Sequence, residues 1–97
     1  MKCFLRSEAR VELDNAALYY EGLRDDLGDE FLDDFLLGIA AIEEAPMRWP
    51  EIEPGIRCFR LSRFRYRIVY RVLSESVEVL ALAHTARRER YWRDRLQ

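Results

Sequence analysis

Eleven arginines follow residue 56, and their spacing is what the sequence offers for chemistry. The stretch "RFRYRIVYRV" (63–72) places Arg65, Arg67 and Arg71 two to four residues apart, and "IRCFRLS" (56–62) adds Arg57 and Arg60. The closing segment "TARRERYWRDRLQ" (85–97) adds Arg87, Arg88 and Arg90, followed at once by Tyr91 and Trp92. A guanidinium is a planar fork that matches phosphate and carboxylate geometry. Arginine interleaved with aromatic rings suits RNA, whose bases stack while its phosphates meet the cations. The chemistry on offer is therefore anion recognition.

Other chemistries are poorly supplied. The chain contains no GxxxxGK[ST], GxGxxG or HExxH pattern, and no nucleophile–base pair suggests itself. His84 is the only histidine and sits at the end of a strand-like run, where a structural role is expected. Cys3 and Cys58 lack CxxC spacing, so with one histidine they do not make a zinc site. They read as reduced thiols serving as small apolar residues on strands. No metal and no cofactor is implied. Any catalysis would fall to arginine, stabilising charge on a transferring phosphoryl group.

The charge is unevenly distributed along the chain. Net charge is −2 over 97 residues, but residues 1–56 carry 5 Lys+Arg against 14 Asp+Glu, and residues 57–97 carry 11 against 4. Such asymmetry points to an anionic partner for the basic half. The length fits one domain over residues 1–97, and 49% hydrophobic residues suffice for its core. The longest apolar runs, "FLLGIAAI" (35–42) and "VLALA" (79–83), fall short of the ~20 residues that cross a bilayer. The opening "MKCFLRSEAR" lacks a secretory h-region. A cytoplasmic protein with no membrane partner is expected.

The elements that must carry the arginines follow from periodicity. "CFLRS" (3–7) reads as a short opening strand. Ser7 is an N-cap candidate, with Glu8 in the first turn. Ala9, Leu13, Ala16, Ala17, Tyr20, Leu23 and Leu27 recur at helical steps, and Gly28 is expected to end that helix. Asp29 is expected to cap a second helix with Phe31, Phe35, Ile39 and Ile42 on its buried stripe, stopped by Pro46. Glu12, Asp14, Glu21, Asp25, Asp26, Asp33 and Asp34 are expected on the solvated outer surface of this hairpin. "MRWPEIEPG" (47–55) reads as a turn-rich connection.

The period then changes to two. "IRCFRLS" (56–62), "YRIVYRVL" (66–73) and "SVEVLALAH" (76–84) predict an antiparallel meander with "RFR" and "SES" as turns. The last strand is apolar on both parities from Val79 to Ala83, which suggests an inner position covered on both faces. The fold class is α+β: an N-terminal strand and an α-helical hairpin packed on a small antiparallel sheet.

Side chains alternate across a strand. Tyr66, Ile68, Tyr70 and Val72 must face the helices, which turns Arg65, Arg67, Val69 and Arg71 away from them. Phe59 and Leu61 pack inward, so Cys58 and Arg60 face outward, while Arg57, sharing Phe59's parity, is at the sheet edge or paired. Like charges on adjacent strands destabilise a sheet. Arg60, Arg65, Arg67 and Arg71 therefore need compensation, either from carboxylates of the chain itself, Glu78 foremost, or from an anionic ligand. In the closing segment Trp92 and Leu96 stand at i and i+4 and would anchor a helical tail to the core.

Taken in order, "ALYYEGLRDDLGDEFLDDF", "PMRWPE", "IRCFRLSRFRYRIVYRV", "VEVLALAH" and "RRERYW" resemble the RelE/ParE superfamily, the toxins of bacterial type II toxin–antitoxin modules. The resemblance runs from about residue 8 to residue 95 and implies the α+β fold already derived. It also implies a cognate antitoxin whose disordered, partly acidic segment wraps the toxin, and whose DNA-binding domain is often ribbon-helix-helix. Two targets follow from two branches. The RelE-like branch cleaves mRNA in the ribosome, and by motif position Arg67 and Arg87 match its two catalytic arginines. Its lysine-rich strand is replaced here by "RCFR" with Arg57 and Arg60, and its terminal tyrosine has no clean counterpart. The "WPE", "AH" and "YW" features look closer to the ParE-like branch, which poisons DNA gyrase and cuts nothing. On that reading Arg57, Arg60, Arg65, Arg71, Arg88, Arg90, Tyr91 and Trp92 form the surface that meets antitoxin or target.

Overall fold

A computed structural model describes residues 1–96. The element order is β1 (Lys2–Leu5), α1 (Ser7–Leu23), α2 (Leu27–Glu44), β2 (Glu51–Glu53), β3 (Ile56–Arg60), β4 (Tyr66–Val72), β5 (Ser76–His84) and a closing 3-10 turn (Arg93–Leu96). The five strands form one sheet in the order β1-β5-β4-β3-β2, with the helical hairpin across one face. The opening strand pairs in parallel with β5, and β3, β4 and β5 form the antiparallel meander. Among the described residues no helix is long and apolar enough to cross a membrane.

The core follows the parities of the sequence. Ala9, Leu13 and Ala16 of α1 and Phe31, Phe35 and Ile42 of α2 pack on Ile68, Tyr70, Val77, Val79 and Leu82. The opposite face carries a second, smaller core of Ile56, Val69, Leu80, Ala81 and Trp92. A bulge joins the two. The β4–β5 register moves from Val69↔Ala81 to Tyr70↔Val79, so β5 spends one extra residue at Leu80. That shift turns both Leu80 and Ala81 toward the second core. The expectation that β5 is covered on both faces holds, and the C-terminal segment supplies the second cover.

Four local expectations need correction. The residue ahead of α1 is Arg6, and Ser7 makes no cap; its hydroxyl donates to the Glu8 carboxylate at 3.2 Å. Gly28 does not end α1 but lies inside α2, and the turn between the helices uses Asp26 in the left-handed region at φ 70°. A short polar side chain tolerates that region. The α2 N-terminus is held by Glu21, which accepts from the Asp26 and Gly28 amides at 3.0 and 2.9 Å, so Asp29 is not its cap. Finally, the connection after Pro46 contains β2, an edge strand of three residues paired irregularly with β3.

Candidate functional site: an arginine-lined end of the sheet

The β3–β4 turn is fixed from the helical side. Asp34, buried in α2, accepts from the Ser62 hydroxyl at 2.7 Å and from the Arg63 amide at 3.0 Å. Phe64 packs edge-on against the stacked pair Tyr20 and Phe31, with ring centroids 4.7 and 5.1 Å away. A buried carboxylate with two donors and an edge-to-face aromatic cluster make a stiff mount. Asp34 was expected on the solvated surface and is instead one of the bolts of the turn.

On that mount stand three arginines with no ion pair to any described carboxylate: Arg60, Arg65 and Arg67. Arg60 and Arg67 are register partners across β3 and β4. With Arg63, Arg65 and Thr85 they line a cavity of about 450 Å³ at the turn. A second cavity of about 440 Å³ shares Arg60 and Arg67 and is otherwise apolar, lined by Trp49, Pro50, Ile52, Cys58 and Phe59. Burial pushes the Cys58 thiol up, while the Arg67 and Arg60 charges pull against it. Among the described residues, Nε of Arg67 and Nε1 of Trp49 are buried donors without a hydrogen-bond partner.

The other arginines named from the sequence are placed elsewhere. Arg71 donates to Glu78 at 2.7 Å, and Glu78 also meets Arg6 at 3.4 Å. Arg71 thus leaves the expected cluster, neutralised by the neighbour strand. Arg57 turns to the helical side, donating to the carbonyls of Met47 and Trp49 at 3.0 and 2.6 Å. It ties down the irregular connection and is not offered to a ligand. Arg90, at φ 57°, pairs with Glu53 at 3.2 Å, and Arg93 reaches the same carboxylate. Arg88 is exposed and makes no ion pair with a described carboxylate.

The aromatic pair of the tail is structural. Trp92 is 2% exposed, anchored in the second core as its spacing predicts. Tyr91 donates its hydroxyl to Glu12 at 2.6 Å, and its ring lies under Arg87 at 4.0 Å and Arg95 at 5.2 Å. Neither ring is available for stacking on a base. Glu12, expected in solvent, is the hub of this corner: it also accepts from Arg95 at 2.9 and 3.0 Å and from the Leu82 amide at 3.1 Å.

Arg67 and Arg87 are not brought together. Arg87 lines a cavity on the helical side with Glu12, Asn15, Tyr19, Tyr66 and His84, while Arg67 rises from the other face. His84 accepts from the Ala86 amide through Nδ1 and packs on the Tyr66 ring edge. Sequence reasoning missed Trp49 and Thr85 as cavity walls. Trp49 lay in a stretch read as a turn, and its neighbour Pro50 concealed the short strand that follows.

Against known proteins, a family described as "ParE toxin of type II toxin-antitoxin system, parDE" matches residues 4–89. A solved structure described as "Chromosomal ParDE TA system from P. aeruginosa" superposes with a TM-score of 0.76 at 18% identity, covering 87% of this chain and 95% of that one. That likeness shows a shared fold. No curated protein matches the chain in sequence.

Proposed function

The chain belongs to the ParE toxin family of type II toxin–antitoxin systems, and from that premise we propose that it inhibits DNA gyrase and is silenced by a cognate antitoxin. The observation that carries this reading is the unneutralised trio Arg60, Arg65 and Arg67 on a stiff mount beside an apolar cavity. A toxin that works by binding needs such a surface and no catalytic constellation. Ribonucleolysis by positioned cations would need two arginines on one phosphate, and Arg67 and Arg87 line different cavities on opposite faces. The place of the lysine-rich strand is taken by Ile56–Arg60, where Arg57 is spent on backbone carbonyls.

The antitoxin suited to this surface carries an acidic, disordered segment that orders over Arg60, Arg65, Arg67 and Arg88, attached to a DNA-binding domain of ribbon-helix-helix type. Charge complementarity would speed its encounter, and ordering on contact lets it wrap a large surface. The test is a supercoiling assay with purified toxin, paired with induced expression in cells. We expect supercoiling to stop, to recover with equimolar antitoxin, and cells to show a DNA-damage response with intact mRNA. Unchanged supercoiling at saturating toxin, or cleaved mRNA without DNA damage, would overturn the gyrase assignment.

A further inference from the structure

Several arginines of this fold are neutralised: Arg71 by Glu78, Arg95 by Glu12, Arg90 and Arg93 by Glu53, Arg63 by Glu30. Arg60 and Arg67 pair with no described carboxylate, and they are direct cross-strand partners. Like charges in that relation disfavour the sheet. The cost is compounded by the buried Nε of Arg67 and Nε1 of Trp49, which find no acceptor among the described residues. Both of these residues line the same cavity. An anion carrying several acceptor oxygens would relieve each of these strains at once.

The site also extends. Arg67 is a wall of the turn cavity, of the apolar cavity beside it, and of a third of about 210 Å³ bounded by Ile52, Glu89, Arg90 and Trp92, where Glu89 adds a negative charge at the far end. Three adjoining cavities that share a cation form a track, and a track asks for a ligand with repeated charge. An extended acidic peptide turns successive side chains to opposite sides, so half its carboxylates face away. A nucleic-acid strand presents a phosphate at every residue, and the guanidinium fork matches each one. We propose that Arg60, Arg65 and Arg67 form a phosphodiester-binding site that takes the backbone of DNA, so that this toxin engages the nucleic acid of a gyrase–DNA complex as well as the enzyme. The choice of DNA rests on the gyrase reading above; the phosphodiester site rests on the cavities alone.

The experiment is fluorescence anisotropy of the full-length toxin, without gyrase, across a KCl series. The probes are a short labelled DNA, an RNA of the same sequence and a poly-glutamate peptide of equal charge. DNA is expected to bind, with the slope of log K against log salt reduced by about one for each of R60Q, R65Q and R67Q. Unliganded R60Q and R67Q should melt no lower than the parent, because each removes a like-charge opposition; lower melting of both would mark these arginines as structural and overturn the proposal. So would absence of DNA binding at low salt, equal binding by parent and variants, or tighter binding of RNA or poly-glutamate through the same arginines. A parallel supercoiling assay keeps the two readings apart. Inhibition without DNA binding removes this site and leaves gyrase inhibition standing, whereas DNA binding with unaltered supercoiling supports the site and removes the gyrase target.

Discussion

Glu12 is the carboxylate on which the C-terminal segment hangs. From one turn of α1 it receives the Tyr91 hydroxyl, both terminal nitrogens of Arg95 and the Leu82 amide. The Leu82 amide needs it, because β1 ends at the Leu5↔Val79 pair and leaves that edge of β5 without a partner strand. The Leu80 carbonyl is served by the same latch, accepting from Arg95 at 2.9 Å. Replacing Glu12 by Gln keeps the volume and removes the charge, leaving Arg95 half-buried against a neutral partner. We expect a loss of roughly 1–3 kcal/mol, the range for breaking a charged, partly buried hydrogen-bond set. Urea unfolding checks the size. A red shift of Trp92 emission before the main transition checks that the tail releases first. Unchanged stability and emission would mean that the tail is held by its apolar contacts alone.

Helices and strands were legible where burial imposes a period. The stripe of Phe31, Phe35 and Ile42 and the alternation of Ile68 and Tyr70 with Val69 give the faces correctly, because a side chain on the wrong parity would leave the core. Partnerships were not legible, because a carboxylate on a helix carries no local sign of what will dock on it. Glu12 and Asp34 look like their solvated neighbours Asp14 and Asp33, and only the tertiary path of residues 61–96 separates them. The same holds for the arginines. Arg67 and Arg71 share a strand face, yet one is open and the other is paired with Glu78 across a single ladder step. The junction of the helices gives a test at this scale. A Cβ on Gly28 would stand 2.7 Å from the Ala17 carbonyl and 2.9 Å from the Glu21 carboxylate that caps α2, whereas one on Gly22 would meet nothing within 4 Å. Gly28→Ala should cost roughly 1–3 kcal/mol through overpacking, more than the ~1 kcal/mol of helix propensity it gains. Gly22→Ala should stabilise by about 0.5–1 kcal/mol. Denaturant midpoints of the pair check both signs, and stabilisation by both would mean that the hairpin is free to open.

At the scale of the whole molecule the fold keeps weak acids neutral, most strongly in three separate places. Burial, reinforced by Glu43, raises the Cys3 thiol from 9.0 to about 11 at the sheet's edge strand. Burial raises the Tyr70 phenol from 10.0 to about 12 in the main core, where its hydroxyl donates to the Pro46 carbonyl at 2.7 Å. Tyr91 is raised as well, first by burial and then by its hydrogen bond to Glu12, which only the neutral phenol can donate. Each shift has the same sign for stability. The folded state holds these protons more tightly than the unfolded chain, so the contribution is complete below pH 9 and is lost as pH rises toward 12. Thermal unfolding should therefore be nearly flat from pH 7 to 8.5 and fall steadily above 9, with Cys3 and the buried Cys58 thiol carrying the first part of the fall. Cys3→Ala is expected to make that first part shallower, and Tyr70→Phe the part beyond 10, even though the latter starts lower by about 1 kcal/mol for its lost hydrogen bond. If the double variant keeps the parental slope, neither the Cys3 thiol nor the Tyr70 phenol contributes to alkaline unfolding.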